Sequence, residues 1–141
     1  MENTETVLAT VATILNSQPG TSICSIKPEP GNVELAKTVY NAMNNPTHKL
    51  SDFVNKKINV ANYLIEVAEI VDEDTGAISK TPRTVLISPD GESFMATSKG
   101  VFNSIRNAVT VLGDAPWEGG ITFEVKQQKV GRGNMLTLLM V

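Results

Sequence analysis

Ile58-Asn59-Val60-Ala61-Asn62-Tyr63-Leu64-Ile65-Glu66-Val67-Ala68-Glu69-Ile70-Val71 is the stretch whose reading decides the fold. Ile58 and Val60 fall on one alternation, whereas Tyr63, Ile65 and Val67 fall on the other. Because side chains alternate between the two faces of a strand, such a phase change requires a bulge or bend. A long first strand that bends can curl and pair along both of its edges, as the opening strand of a small barrel must.

Working outward from this stretch, Asp72-Glu73-Asp74-Thr75-Gly76 reads as an acidic turn, with the loop continuing to Pro82. Arg83–Ser88 and Glu92–Ser98 read as a hairpin around Pro89-Asp90-Gly91, with Val85, Ile87, Phe94 and Ala96 as its inward set. Ser98 can cap a helix whose Val101, Phe102, Ile105, Ala108, Val109 and Leu112 form one face, with Gly113 as its stop. Ile121, Phe123 and Val125 alternate with polar residues, and a last run from Met135 to Val141 is apolar on both alternations. That last run must be covered on both sides or pair with another subunit. Five β-rich runs with a helix between the third and fourth predict a mainly β, α+β fold. The expected architecture is a five-stranded barrel of the oligonucleotide-binding (OB) kind with an N-terminal helical extension.

Upstream, Thr21–Lys27 reads as a short strand ended by Pro28 and Pro30. Asn32 can cap a helix over 32–44 with a stripe of Val33, Leu35, Ala36, Val39, Tyr40 and Met43. Residues 1–20 carry Val7, Leu8, Val11, Ile14 and Leu15 at helix-like spacing among helix-weakening threonines, and are expected to be a weakly ordered leader. The expected organisation is that leader followed by a single domain over 21–141, in keeping with 141 residues, 41% hydrophobic and 19% charged. No apolar run suits a membrane span or signal peptide, and a single cysteine, Cys24, cannot form an internal disulfide. These features predict an intracellular chain without membrane association.

The net charge of −3 conceals an uneven distribution. Ser51–Ser98 holds eight acids and four bases, while Lys99–Val141 holds five bases and three acids. A groove needs only local positive potential. Lys126, Lys129 and Arg132 fall on the fourth strand and its following loop, and Lys80 and Arg83 enter the second strand; in an OB barrel the corresponding loops flank one groove. Among seven aromatic residues, Phe102 and Phe123 fit the core, and Tyr63 is the candidate for stacking on an unpaired base, with Met95 as a further base contact. Catalysis and metal binding have no support. His48 is the sole histidine and lies far from Cys24, Asp72-x-Asp74 lacks the closing glutamate of a calcium loop, and Gly131-Arg132-Gly133 reads as a hairpin tip. No enzyme activity, cofactor or metal is therefore expected.

Ile58–Val71, Pro82-Arg83-Thr84-Val85-Leu86-Ile87 through Ser98-Lys99-Gly100-Val101-Phe102-Asn103-Ser104, and the closing Lys126–Val141 hairpin resemble single-stranded DNA-binding proteins of small tailed bacteriophages. Tyr40-Asn41-Ala42-Met43-Asn44-Asn45-Pro46 and Leu50-Ser51-Asp52 are similar too. The resemblance implies a replication protein, working with other replication proteins in the bacterial host cytoplasm, that coats and protects single-stranded DNA with little sequence preference. The chain ends in Leu138-Leu139-Met140-Val141, without the acidic tail of bacterial housekeeping relatives. The alternative is a phage-encoded protein-interaction or structural module without nucleic-acid binding, which forms a homo-oligomer by strand addition at the apolar last run.

Overall fold

The computed structural model describes residues 14–131 and 133–141. The stripe at Val7, Leu8 and Val11, and Arg132, lie outside the described residues. Among the described residues, eight strands and two α-helices follow in the order β1 (Ser22–Cys24), α1 (Val33–Asn44), β2 (His48–Lys49), β3 (Lys57–Val60), β4 (Asn62–Val71), β5 (Ile78–Ile87), β6 (Ser93–Ala96), α2 (Lys99–Leu112), β7 (Ile121–Val130) and β8 (Gly133–Met140). One sheet has the order β1-β4-β5-β6-β2, and the other β3-β7-β8.

The bend inferred from the alternation lies at Ala61. Its N–H donates to the Ile87 carbonyl at 2.8 Å, while its own carbonyl accepts from Trp117 N–H at 2.8 Å. β3 pairs with β7 on one side of the bend and β4 with β5 on the other, so the two sheets share one nearly continuous strand. Ile58, Val60, Tyr63, Ile65 and Val67 consequently all enter the same core despite their opposite phases.

The architecture is mainly β with helices, but the sheets form no closed barrel. Among the described residues no ladder joins β6 to β8. Closure is blocked on both sides. The edge of β6 is taken by β2 in parallel, with His48 opposite Phe94 and Lys49 opposite Met95. The exposed edge of β8 turns instead to α2, where Ser98 Oγ donates to Leu136 O at 3.0 Å and Leu138 N donates to Ser104 Oγ at 3.2 Å. Those two bonds also satisfy groups that strand addition by another subunit would need.

Two further expectations need correction. β5 begins at Ile78 and runs through Pro82, which faces Val67. β6 pairs with β5 only as far as Ala96–Thr84, so β5 is an edge there and the missing proline N–H interrupts no ladder on that side. The proposed inward set also divides. Phe94 and Ala96 lie in the main core with Leu86, whereas Val85 and Ile87 face a second cluster with Ile26, Ala42 and Leu64 beneath α1. β4 and β5 are central strands buried on both faces, so apolar residues occur on both alternations.

α2 buries Val101, Phe102, Ile105, Ala108 and Val109 against the main core, each large side chain contributing about 1.5–3 kcal/mol. Gly113 ends it with φ 85°, and its N–H donates to Val109 O at 3.0 Å. Gly100 permits its close approach to β8: an added Cβ would collide with the Leu136 carbonyl oxygen and crowd Met135. α1 is capped by Asn32, whose Oδ1 accepts from Leu35 N–H at 3.2 Å, and Ala42 is its buried contact with the second cluster.

Candidate nucleic-acid interface

The unclosed seam between the sheets is a groove of about 470 Å³. One wall comes from Lys49 and Ser51 together with Met95–Lys99, and the other from Gln127 and Asn134–Leu136. Among the described residues no carboxylate lines it. The seam runs between β6 with the start of α2 and the β7–β8 hairpin. Both long hairpins, β4–β5 and β7–β8, have exposed outer halves. Thr81 Oγ1, midway along the first hairpin, donates to Thr97 O at 3.2 Å. On the second, Gln127 stands midway and Asn134 one pair from the tip.

Local hydrogen bonds fix both walls. Thr47 N–H donates to Ser93 Oγ at 3.0 Å, Thr47 Oγ1 donates to Ser93 O at 2.8 Å, and Ser93 N–H donates to Thr47 Oγ1 at 2.7 Å. This reciprocal clamp holds β2 beside β6 and therefore sets Lys49 next to Met95. His48 stacks on Phe94 at a centroid separation of 5.0 Å, and Phe53 meets both rings edge-on. His48 Nε2 lies 3.4 Å from Glu92 Oε1, so the one histidine braces β2 against the β5–β6 hairpin. Lys99 follows the α2 cap, where Ser98 Oγ accepts from Gly100 N–H at 3.2 Å.

The residues picked from sequence disperse across this surface. Met95 is half-buried and lines the seam. Arg83 shares its sheet face by strand alternation and register, but its Nη1 is 3.0 Å from Glu66 Oε1, which neutralises much of its field. Lys80 lies on the other face of β5, and its Nζ donates to Ser17 O at 2.8 Å. Lys126 and Lys129 point to opposite faces of β7, because their positions differ by an odd number. Lys126 is paired with Glu124 on its own face. Lys129 shares the face of Gln127, opposite Asn134, and has no ionic partner among the described residues. Arg132 lies outside the described residues. The described cations therefore do not share one face.

Tyr63 requires a clear correction. It is only 2% exposed, its hydroxyl donates to Asp114 Oδ1 at 2.8 Å, and its ring lies 6.2 Å from Trp117 in the core. It cannot stack on a base while the domain is folded. Phe102, Phe123, Phe94 and Trp117 are buried as well, and Trp117 Nε1 donates to Gly113 O at 3.0 Å. Phe53 is the half-buried ring close to the seam, in the same 3-10 turn as Ser51.

No local signal in the sequence marks Lys49, Lys99, Gln127, Asn134 or Met135 as lining the seam. Thr47-His48-Lys49 carries no strand-length alternation, so nothing local marks it as the neighbour of β6. Among the described residues no group of three or more His, Cys, Asp or Glu side chains could hold a metal ion, and no helix is long and apolar enough to cross a membrane.

Electrostatics reinforce the division between seam and outer face. The Glu124 carboxyl is held below its ordinary range, first by the Lys126 hydrogen bond and then by the positive charges of Lys126 and Lys57. Asp72 is likewise lowered by accepting from the N–H groups of Thr75 and Asp74, at 3.1 and 2.8 Å, which organises the tip of the β4–β5 hairpin. Both carboxylates stand apart from the groove lining.

Comparison with known proteins adds a family to this geometry. Residues 29–141 match the model of the Phi29-type family described as phage single-stranded DNA-binding protein. The matched span contains both helices and every strand except β1. No curated protein and no solved structure matches the chain. With most of its length, the seam and both hairpins inside the match, the chain belongs to the phage single-stranded DNA-binding protein family of the Phi29 type.

Proposed function

We propose that the chain binds and protects single-stranded DNA with little sequence preference during phage DNA replication, in the host cytoplasm and beside other replication proteins. The observation that carries this reading, beyond family membership, is the seam between β6 and the β7–β8 hairpin, with two lysines and no carboxylate among its described lining residues. A flexible unpaired strand can enter such a groove and leave its phosphates near cations, whereas a duplex is stiff and carries its own paired bases. Low sequence preference is expected because phosphate contacts and stacking carry little base information. The arrangement is a partly opened relative of the OB barrel, with the bent β3–β4 strand taking the role of the first barrel strand. The sequence-picked cations contribute unequally: Lys129 is free to meet the strand, while Arg83 and Lys126 first have to leave Glu66 and Glu124.

A fluorescence titration of the full chain with oligo-dT at two salt concentrations tests the function. Binding that weakens with salt, and that oligo-dT and oligo-dA share within a few-fold, is the expected result. A chain that ignores both oligomers in dilute buffer would overturn the reading and leave the interaction-module alternative, for which a solution mass above that of one chain is the matching observation.

A further inference from the structure

We propose that Lys49 and Lys99 form a backbone-phosphate subsite on one wall of the open seam, so that a single DNA strand runs along the gap left where β6 and β8 fail to pair. This inference rests on the single-stranded DNA reading above and assigns the groups that hold the strand there.

Three observations converge. Lys49 and Lys99 reach the same 470 Å³ groove from elements far apart in sequence, β2 and the start of α2. Both are exposed and neither has an ionic partner among the described residues, in contrast to Arg83 and Lys126. Their positions are also fixed from behind. The Thr47–Ser93 clamp holds the β2 wall, and the Ser98–Leu136 bond holds the α2 wall against β8. Two cations on one wall of a groove with no carboxylate among its described lining residues make a local positive field in a chain of net charge −3. The hydroxyl of Ser51 and the amides of Gln127 and Asn134 line the same groove and can donate to phosphate or sugar oxygens. Met95 and Met135 provide the apolar, adaptable surface that an unpaired base can lie against without base-edge recognition.

The ligand class is therefore a phosphodiester-linked, unpaired strand recognised through its backbone. The seam also explains why β2 occupies only part of the β6 edge: pairing of His48 and Lys49 with Phe94 and Met95 delivers a lysine to the groove, while Thr97–Lys99 beyond it stays unpaired by a strand.

The test compares binding of fluorescein-labelled oligo-dT by wild type, the double variant Lys49→Ala/Lys99→Ala, the double variant Lys49→Arg/Lys99→Arg, and Lys37→Ala on the solvent side of α1. Each phosphate neutralised on a single strand contributes about 0.7 to the slope of log affinity against log salt. Loss of two contacts should flatten the slope by about 1.4, equivalent to about 25-fold weaker binding at about 0.1 M than at equal 1 M affinity. The arginine pair should retain the wild-type slope, because charge and reach are preserved, and Lys37→Ala should leave it unchanged. An abasic strand of the same length should show the same loss in the alanine pair. If wild type binds with a steep slope and the alanine pair keeps it, the subsite is wrong while the general function stands. A weaker alanine pair with an unaltered slope would also overturn it, since the lysines would then act on structure and not on phosphate. Failure of wild type itself to bind would instead remove the function on which the subsite rests.

Discussion

Substitution of Tyr63 tests the bend at Ala61, on which the rest of the architecture depends. The phase change places the ring in the core, and its hydroxyl donates to Asp114 Oδ1 at 2.8 Å. Tyr63→Phe keeps the ring against Trp117 and removes that bond, while Asp114 still accepts from Ala115 N–H at 2.9 Å. Loss of a hydrogen bond to a charged acceptor is worth about 1.5–3 kcal/mol, and the retained bond puts this case near about 1.5 kcal/mol. For a chain of this length that lowers Tm by about 4–8 °C. Tyr63→Leu also leaves a void and costs more, about 2–4 kcal/mol, still less than the usual stability of a domain. Thermal melts followed by Trp117 fluorescence measure both, and oligo-dT titration well below the melts measures binding. Both variants should bind as wild type does. If Tyr63→Leu melted like wild type but bound about 5–150-fold more weakly, the loss expected from roughly 1–3 kcal/mol of stacking, the ring would be a base platform and the inferred core would be refuted.

Three other substitutions probe separate links. Thr84 Oγ1 is fully buried without a hydrogen-bond partner among the described residues, so Thr84→Val should stabilise by about 1 kcal/mol; a urea midpoint that moves down at constant m-value would contradict this. Gly100→Ala gains about 1 kcal/mol of helix propensity, yet the new Cβ meets the Leu136 carbonyl oxygen, and overpacking of about 1–3 kcal/mol should prevail; chemical denaturation and oligo-dT affinity should both worsen, and a more stable variant would show that α2 does not abut β8. Glu124→Gln should release Lys126 and steepen the salt slope by about 0.7. Because the Glu124 carboxyl titrates below its ordinary range, the pairing persists at neutral pH and is lost as pH falls through that lowered value. The two proteins should therefore bind alike only in acid, and identical slopes at neutral pH would show that Lys126 is already free.

Much of the local structure was legible because it depends on neighbouring residues. The α2 face, its Ser98 cap and its Gly113 stop are periodic or stereochemical signals, and the two-phase run Ile58–Val71 carries its bend in the alternation alone. The functional surface was less legible. Side-chain parity separates Lys126 from Lys129, as the strand period itself requires, but the partners Glu66 and Glu124 that occupy Arg83 and Lys126 appear only with register and rotamer.

By itself, then, the order of residues determined a β-rich chain with a bent leading strand and an amphipathic helix before the last hairpin, since each follows from short-range alternation or capping. Only tertiary structure decided that the sheets stay open. His48–Lys49 reaches β6 from a distant part of the chain, and Ser98 and Ser104 satisfy the edge of β8. Long-range pairing of backbone groups is a competition among edges, and no local pattern records which edge wins.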